Sequence, residues 1–345
     1  MWLIFYSSKD KEVLVLAKKL KSIDYPYISA YVRAKENKML NSERAERMIN
    51  AKSVKDAVKV LEECGYGDMS DVNASRLNEK ISKKRADVMK DLAFLVPDKE
   101  ILDIFRLKYD YHNAKVMIKS EAMKTDQTDL LSDAGRYSAE DFSREYYREN
   151  SALFSKILSD AMAEAKDTLA RTSDPQLADF ILDNAYYREF VHLAEETEND
   201  FLIGYGRLMI DSSNLRTAVR AIRMKKGPEF LKNTLANGGK VSVRSVINAI
   251  SSKTPLSSVF TGQLKKAAEA GDEAVSGGSL TVFEKLCDDA LNSYVRSARL
   301  VGFGPEVLMA YICGMENEFS AVRIIVTGKM ANLADETIRE RLRSF

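Results

Sequence analysis

The sequence predicts an all-α protein, and three observations support that prediction. Helix breakers are scarce, because the 345 residues include only 6 prolines and 16 glycines, below typical usage of roughly 5% and 7%. Apolar residues (45%) and charged residues (30%) are mixed along the chain, as expected for amphipathic helices. Helix-capping signals recur, and we see no convincing period-two alternation typical of a strand.

The first clear helix signal begins at Ser53, which is followed by Asp56 in a pattern that resembles a capping box. Apolar side chains then recur with helical spacing at Val54, Ala57, Val58 and Leu61. Gly65 is expected to end this helix.

A longer helix is predicted to open at Pro97 and Asp98 and to run to about Lys124, roughly 40 Å at 1.5 Å per residue. Its apolar stripe has alternating spacings of three and four and comprises Leu102, Phe105, Tyr109, His112 and Val116. Because His112 falls on this stripe, we expect a buried, hydrogen-bonded core histidine and not a ligand or a catalytic base.

The later helices have recognisable starts. Asp174 precedes Pro175 as an N-cap before proline at the first helical position, and Gly304 with Pro305 opens another helix. Polar or small residues at 125–136, 236–239 and 276–279 indicate connections. The cationic stretch 220–226 is interpreted as the last turn of a helix stopped by the following Gly-Pro pair, with an anion site as the less favoured alternative.

The chain also repeats one pattern three times, in which an acid is followed five positions later by a base. The pairs are Asp110 and Lys115, Asp211 and Arg216, and Glu318 and Arg323. The acids lie 101 and 107 residues apart, which exceeds the usual solenoid periods of roughly 20–50 residues. Similar helix openings follow at 137–142, 241–246 and 333–338. We therefore predict three related helical domains at 25–136, 137–237 and 238–345, after an N-terminal extension at 1–24.

The spacing of the repeated acids and bases indicates what these side chains contact. Positions five apart on a helix are about 140° out of register, so the two members of a pair should not bind each other. We expect Asp110, Asp211 and Glu318 to pair with bases on neighbouring helices and to fix the packing. Recurrence favours this structural role over catalysis, because a catalytic site is normally needed once, while contact with a partner protein stays open as the alternative. Charge reversal of Arg216 should then lower thermal stability.

Several classes of function are disfavoured. The net charge of +1 offers no basic field for nucleic acid. Three widely spaced cysteines without a Cys-x-x-Cys motif support neither a disulfide framework nor a zinc site. The two histidines and the glycine pairs at 204–206 and 302–304 lack the context of a catalytic triad or a nucleotide loop. We expect no catalytic residue, cofactor or metal.

Membrane insertion is also not expected. The apolar run at 2–6 is too short for the core of a signal peptide. The longest later uncharged stretch, 307–315, is far below the roughly 20 residues that cross a bilayer.

Three segments resemble a known family. The segment 27–34 with 38–40, the segment 105–115, and the closing run 318–329 with 338–342 are similar to the C subunit of archaeal and bacterial V-type (A-type) ATPases, called the d subunit in eukaryotic enzymes. The likeness extends from about residue 25 to the C-terminus, and residues 1–24 fall outside it. Position 31 departs from it, since tyrosine stands where an arginine is expected.

The resemblance implies a funnel of three similar helical domains around a pseudo-threefold axis. It further implies a non-catalytic component of the central stalk, peripheral on the cytoplasmic face of the membrane, which couples the shaft formed by the D and F subunits to a membrane rotor ring that carries H⁺ or Na⁺. The motif bases to test for partner binding are Arg33, Lys115, Arg216 and Arg323. A free-standing helical scaffold that binds soluble partners is the alternative.

Overall fold

The computed structural model describes residues 20–69, 71–148 and 151–344, which contain fifteen α-helices and no β-strand, and this confirms the all-α prediction. The helices are α1 (Pro26–Glu36), α2 (Ser42–Ile49), α3 (Val54–Glu63), α4 (Ala74–Leu95), α5 (Glu100–Met123), α6 (Ala139–Tyr146), α7 (Lys156–Thr172), α8 (Pro175–Glu196), α9 (Asp200–Arg223), α10 (Pro228–Thr234), α11 (Val243–Ser251), α12 (Lys265–Val275), α13 (Leu280–Arg296), α14 (Pro305–Met330) and α15 (Asp335–Arg341). Short 3₁₀ turns occupy Ser22–Asp24, Thr128–Leu130, Leu256–Ser258, Gly262–Leu264 and Ser297–Leu300.

The capping signals act as predicted. The Ser53 hydroxyl accepts the backbone N–H of Asp56 at the start of α3, and the Asp174 carboxylate accepts that of Gln176 at the start of α8. Helix α5 ends at Met123, close to the predicted end, but begins at Glu100, slightly after the predicted opening. The three predicted connections all lie between helices, and the cationic stretch 220–226 spans the end of α9.

Three long helices organise the packing. Helices α5, α9 and α14 have 24, 24 and 26 residues and bury side chains on most of their circumference, because apolar or small residues occur on all sides. Helix α5 contacts α6, α7 and α8; helix α9 contacts α10 to α13; and helix α14 contacts α1 to α4. Each long helix therefore sits at the centre of its own group of shorter helices.

The group around α14 joins the two ends of the described chain. Its outer helices α1 to α4 come first in the sequence, and its central helix comes more than 200 residues later. The backbone N–H of Leu40 donates to the Glu318 carboxylate across 278 residues of sequence. These contacts associate α14 with α1 to α4, whereas the contiguous division at 137 and 238 remains a prediction.

The buried apolar residues form two clusters. The larger one includes α1 to α8, the first part of α9, and α14 with α15. The smaller one is built from most of α9 together with α10 to α13. Helix α9 therefore links the two cores.

The prediction that His112 is buried in the core is wrong, although the side chain is hydrogen-bonded as expected. The imidazole is exposed, and its Nε2 lies 3.0 Å from the carbonyl oxygen of Leu130 in the connection after α5. The apolar stripe turns into solvent at this point, while the neighbouring Asn113 is buried and donates to the carbonyl oxygen of Ser132. The apolar run 2–6 and most of the predicted extension lie outside the described residues; the backbone N–H of Leu20 donates to the carbonyl oxygen of Thr197.

Candidate functional site

The repeated acids all lie in the middle of a long helix and are almost fully buried. Asp110 on α5, Asp211 on α9 and Glu318 on α14 are 0%, 3% and 1% exposed. A carboxylate is costly to bury unless its oxygens are hydrogen-bonded, so the partners of each acid define its role.

Two of the acids hold a loop that leads into a short helix later in the chain, namely α6 for Asp110 and α11 for Asp211. Asp110 accepts the backbone N–H of Arg136 at 2.9 Å, two residues before the N-cap of α6. Asp211 accepts the N–H groups of Lys240 and Val241 at 3.0 and 3.1 Å, just before the N-cap of α11. Both carboxylates therefore satisfy backbone donors that would otherwise be left without partners.

A glycine makes room for each of these carboxylates. A Cβ atom added at Gly135 would collide with Oδ1 of Asp110, and one added at Gly239 would collide with Oδ1 of Asp211. The loop backbone thus comes as close to the carboxylate as a glycine permits.

Glu318 performs the same task with a loop from the other end of the chain. It accepts the N–H of Leu40 at 2.7 Å, immediately before Asn41, the N-cap of α2. The loop that this acid holds is therefore at 40–42 and not the similar-looking opening at 333–338. Sequence order concealed this, because the partner precedes the acid.

The acids differ in how their charge is balanced. Arg136 places Nε 2.5 Å from Asp110, and Lys84 places Nζ 2.9 Å from Glu318, but among the described residues Asp211 has only backbone donors. Of the expected pairings with bases on neighbouring helices, the structure contains only Glu318 with Lys84, since Arg136 is in a loop. Burial raises the pKa of Asp110 to about 6 against the opposing effect of Arg136, and burial also raises the pKa of Asp211.

Each repeated base reaches a side chain on a neighbouring helix outside the three long ones. Lys115 on α5 lies 2.6 Å from Asp183 on α8. Arg216 on α9 forms ion pairs with Glu284, at 2.8 Å, and with Asp288, both on α13.

The third base continues the series. Arg323 on α14 donates to the side-chain oxygen of Asn78 on α4 at 3.2 Å. Helix α8 precedes α9, helix α13 precedes α14, and helix α4 precedes α5. Each base therefore contacts the helix that comes before one of the three long helices. The three contacts therefore run in cyclic order through the molecule.

Arg33, the fourth candidate base, joins α1 to the segment before α14. Its guanidinium pairs with Glu36 at 3.0 Å and donates to the carbonyl oxygens of Ala298 and Val301. All four bases thus have partners within the chain, and only Arg323 is classed as exposed. Their contact with another protein stays a prediction.

A second polar cluster was missed by the sequence reasoning. Glu316 on α14 accepts Arg85 of α4 at 3.1 Å and Tyr109 of α5 at 2.6 Å, and it lies 3.0 Å from Lys108. Burial opposes its ionisation, but Lys108 and Arg85 overcome this and lower the pKa of Glu316. No sequence signal identifies this cluster, because Glu316 is more than 200 residues from each of its partners.

Two searches of the described residues bear on function. None of the helices at 20–69, 71–148 and 151–344 combines the length and apolarity that a bilayer span requires. In the same ranges, no three His, Cys, Asp or Glu side chains come together as a metal-binding group would.

Comparison with known proteins gives a consistent result over nearly the whole chain. The family model for the ATP synthase (C/AC39) subunit matches residues 28–341. The C subunit of a V-type sodium ATPase from Enterococcus hirae is 23% identical over 93% of this chain and 98% of its own length. The C subunit of an A-type ATP synthase from Methanocaldococcus jannaschii is 24% identical over 93% and 86% of the two chains, and that of a V-type ATP synthase from Thermus thermophilus is 23% identical over 89% and 94%.

Proposed function

Because this chain belongs to the ATP synthase (C/AC39) subunit family, and so is a non-catalytic part of a V-type or A-type rotary ATPase, we propose that it couples the central shaft to the membrane rotor ring. In this role it transmits torque between the D and F subunits and the ring that carries H⁺ or Na⁺. It acts on the cytoplasmic side as a peripheral component. The observation that carries the proposal is the family match across residues 28–341.

The packing supports a torque-bearing role. A coupling part must resist twisting, and here three long helices are tied to their neighbours by buried carboxylates and ion pairs. The contacts from α5 to α8, α9 to α13 and α14 to α4 follow one another in a cycle. We propose that this cycle is the pseudo-threefold arrangement of a funnel, with one long helix central to each third.

One surface has the character expected for a shaft contact. Ile23, Tyr27, Leu300 and Phe303 are large apolar side chains that are exposed, and Leu300 is 91% exposed. The two segments that carry them adjoin, since the Ser29 hydroxyl accepts the N–H of Gly304 at 3.2 Å. Apolar patches on a protein surface commonly mark binding sites. We assign this apolar patch, defined by those four residues, to the shaft.

Size-exclusion co-elution with a D–F heterodimer from the same organism, and then with the solubilised ring, tests the proposal. The wild-type protein should co-elute with both. Leu300→Asp should lose the heterodimer and keep its melting temperature, because the side chain is exposed in the free protein. Val282→Asp is the matched control, since Val282 is also exposed but lies in the first turn of α13, where an acid is tolerated.

The outcomes separate the alternatives. Equal loss in both variants would remove the assignment of the apolar patch. If the folded wild-type protein binds neither partner, the free-standing scaffold becomes the better explanation. The prediction for Arg323 is tested in the same assay, where Arg323→Ala should weaken binding without changing the melting temperature if this base contacts a partner.

A further inference from the structure

A cleft lies between α1 and α4, next to the buried Glu318 and apart from the apolar patch. Its volume is about 460 Å³, within the range of roughly 300–1,000 Å³ that holds small-molecule ligands. Met39, Tyr66 and Met315 contribute to its apolar lining. The cleft is therefore large enough for a small molecule and offers an apolar surface against which a ligand can pack.

Five lysines line this cleft. Lys35 and Lys38 come from α1 and the turn after it, and Lys80, Lys83 and Lys84 come from α4. The i, i+3 and i, i+4 spacings keep the α4 lysines on one side of their helix. The charged lining is otherwise limited to two carboxylates, Asp87 and Asp91, so positive charge predominates.

Some of the charged groups of the cleft already have partners within the protein. Lys84 lies 2.9 Å from Glu318, and the Asp91 carboxylate accepts the Tyr31 hydroxyl at 3.1 Å. Lys38 and Lys83, in contrast, have no carboxylate within 4.0 Å among the described residues. Two exposed cations therefore line one cleft without a direct ion pair to any described residue.

The floor of the cleft is held in place by the core. Tyr66 is buried, its hydroxyl donates to Glu318 at 2.8 Å, and Lys84 Nζ lies 3.7 Å from the centre of its ring. Gly65 and Gly67 on either side have left-handed φ values of 78° and 69°, with open space where a Cβ would stand. The loop can thus turn tightly without side chains that would fill the cleft. A preformed site avoids much of the ordering cost of binding.

We propose that this cleft binds a small polyanion that carries two or more phosphate groups. Lysine ammonium groups bind phosphate as point charges, and the five that line this cleft of about 460 Å³ offer more cationic groups than a single phosphate needs. This inference is independent of the coupling role, because the cleft and the apolar patch share no residue.

Isothermal titration of the full-length protein at low salt, with tripolyphosphate and with ATP in the absence of divalent cations, tests the proposal. We expect one saturable site per chain, weaker binding at high salt, and much weaker binding of AMP, which has one phosphate. Similar affinities for tripolyphosphate and ATP would assign the energy to the phosphate chain. Tighter binding of ATP would show that its adenine ring also contributes by packing on the apolar lining.

The double variant Lys38→Ala/Lys83→Ala should bind tripolyphosphate at least about tenfold more weakly, since it removes the two cleft lysines that form no ion pair with a described residue. Both side chains are exposed, so its melting temperature should be unchanged. Lys265→Ala/Lys266→Ala on α12 is the matched control with the same loss of charge and should bind as the wild type does. The proposal is overturned if neither probe saturates, if the cleft variant binds normally, or if the control loses as much affinity.

Discussion

Helices α9 and α14 carry the same acid and base spacing, but they balance those charges in opposite ways. On α9 the buried acid Asp211 accepts only backbone N–H groups from the part of the chain that the structure describes, while the base Arg216 lies between two carboxylates. On α14 the buried acid Glu318 has its own cation, Lys84, while the base Arg323 contacts a neutral amide.

This difference shows which contacts the repeats have in common and which contacts differ between them. Each acid keeps the task of holding the loop before a short helix, and each base keeps a contact with the helix that precedes the next long helix in the cycle. The location of the ion pair varies. Around α9 the ion pair is made by the base and joins α9 to α13. Around α14, whose group is formed from two distant parts of the chain, the ion pair is made by the acid.

The largest expected effect comes from deleting the acids. Glu318→Ala should lower the free energy of unfolding by about 3–5 kcal/mol, because it leaves Lys84 partly buried and without its carboxylate. Asp211→Ala should cost less, about 1–3 kcal/mol, since it leaves only backbone donors unsatisfied. Urea denaturation of the two variants measures both values, and a larger loss in Asp211→Ala would contradict the comparison.

Charge reversal of the bases should show the opposite order. Arg216→Glu places a third carboxylate beside Glu284 and Asp288, so we expect a loss of about 3 kcal/mol. Arg323→Glu should cost only about 0.5 kcal/mol, because this residue is exposed and forms no ion pair with a described residue. Thermal melting of the two variants measures the difference in stability. Equal shifts in melting temperature would show that the charges between α9 and α13 do not distinguish the helix groups around α9 and α14.

A pH series extends the comparison to α5. The pKa of Asp110 is about 6 in the folded protein and about 3.9 in the unfolded chain. The folded state therefore binds more protons between these values, so this contribution to stability is complete below pH 4 and is lost as pH rises through 6.

In Asp110→Asn the side chain is neutral at every pH. The stability difference between this variant and the wild type should therefore shift by on the order of 2 kcal/mol between pH 4 and pH 7, in the direction that disfavours the wild type at higher pH. Chemical denaturation at each pH provides the measurement. A difference that does not change with pH would show that Arg136 keeps the carboxylate ionised throughout.

The smallest effect concerns the turns that end the two helices. Lys225 after α9 and Asn332 after α14 have left-handed φ values of 55° and 51°. Lys225→Gly should stabilise the protein by about 0.5–1 kcal/mol, because glycine adopts this conformation without the steric cost of a side chain. Asn332→Gly should gain less, since asparagine tolerates the same region better. A melting-temperature rise that is larger for Asn332→Gly would argue against this reason.

Local features of the fold could be predicted because local chemistry determines them. The capping of α3 by Ser53 and the proline-led start of α14 depend on neighbours within a few residues. The position of the repeated acids could also be read from spacing. Their partners could not, since Leu40 and Glu318 are brought together only by packing at long range. His112 was mispredicted for a related reason, because helical periodicity does not say which part of a stripe a neighbour covers.

The group around α14 also sets the order in which the fold can be completed. Ribosomes deliver α1 to α4 first, yet their central helix begins only at Pro305. At a synthesis rate of roughly 5–20 residues per second, the apolar faces of these helices stay without their partner helix for on the order of ten seconds or more. A chain that stops before α14 leaves that surface uncovered and open to chaperones and proteases, so degradation can remove truncated copies before they enter a motor.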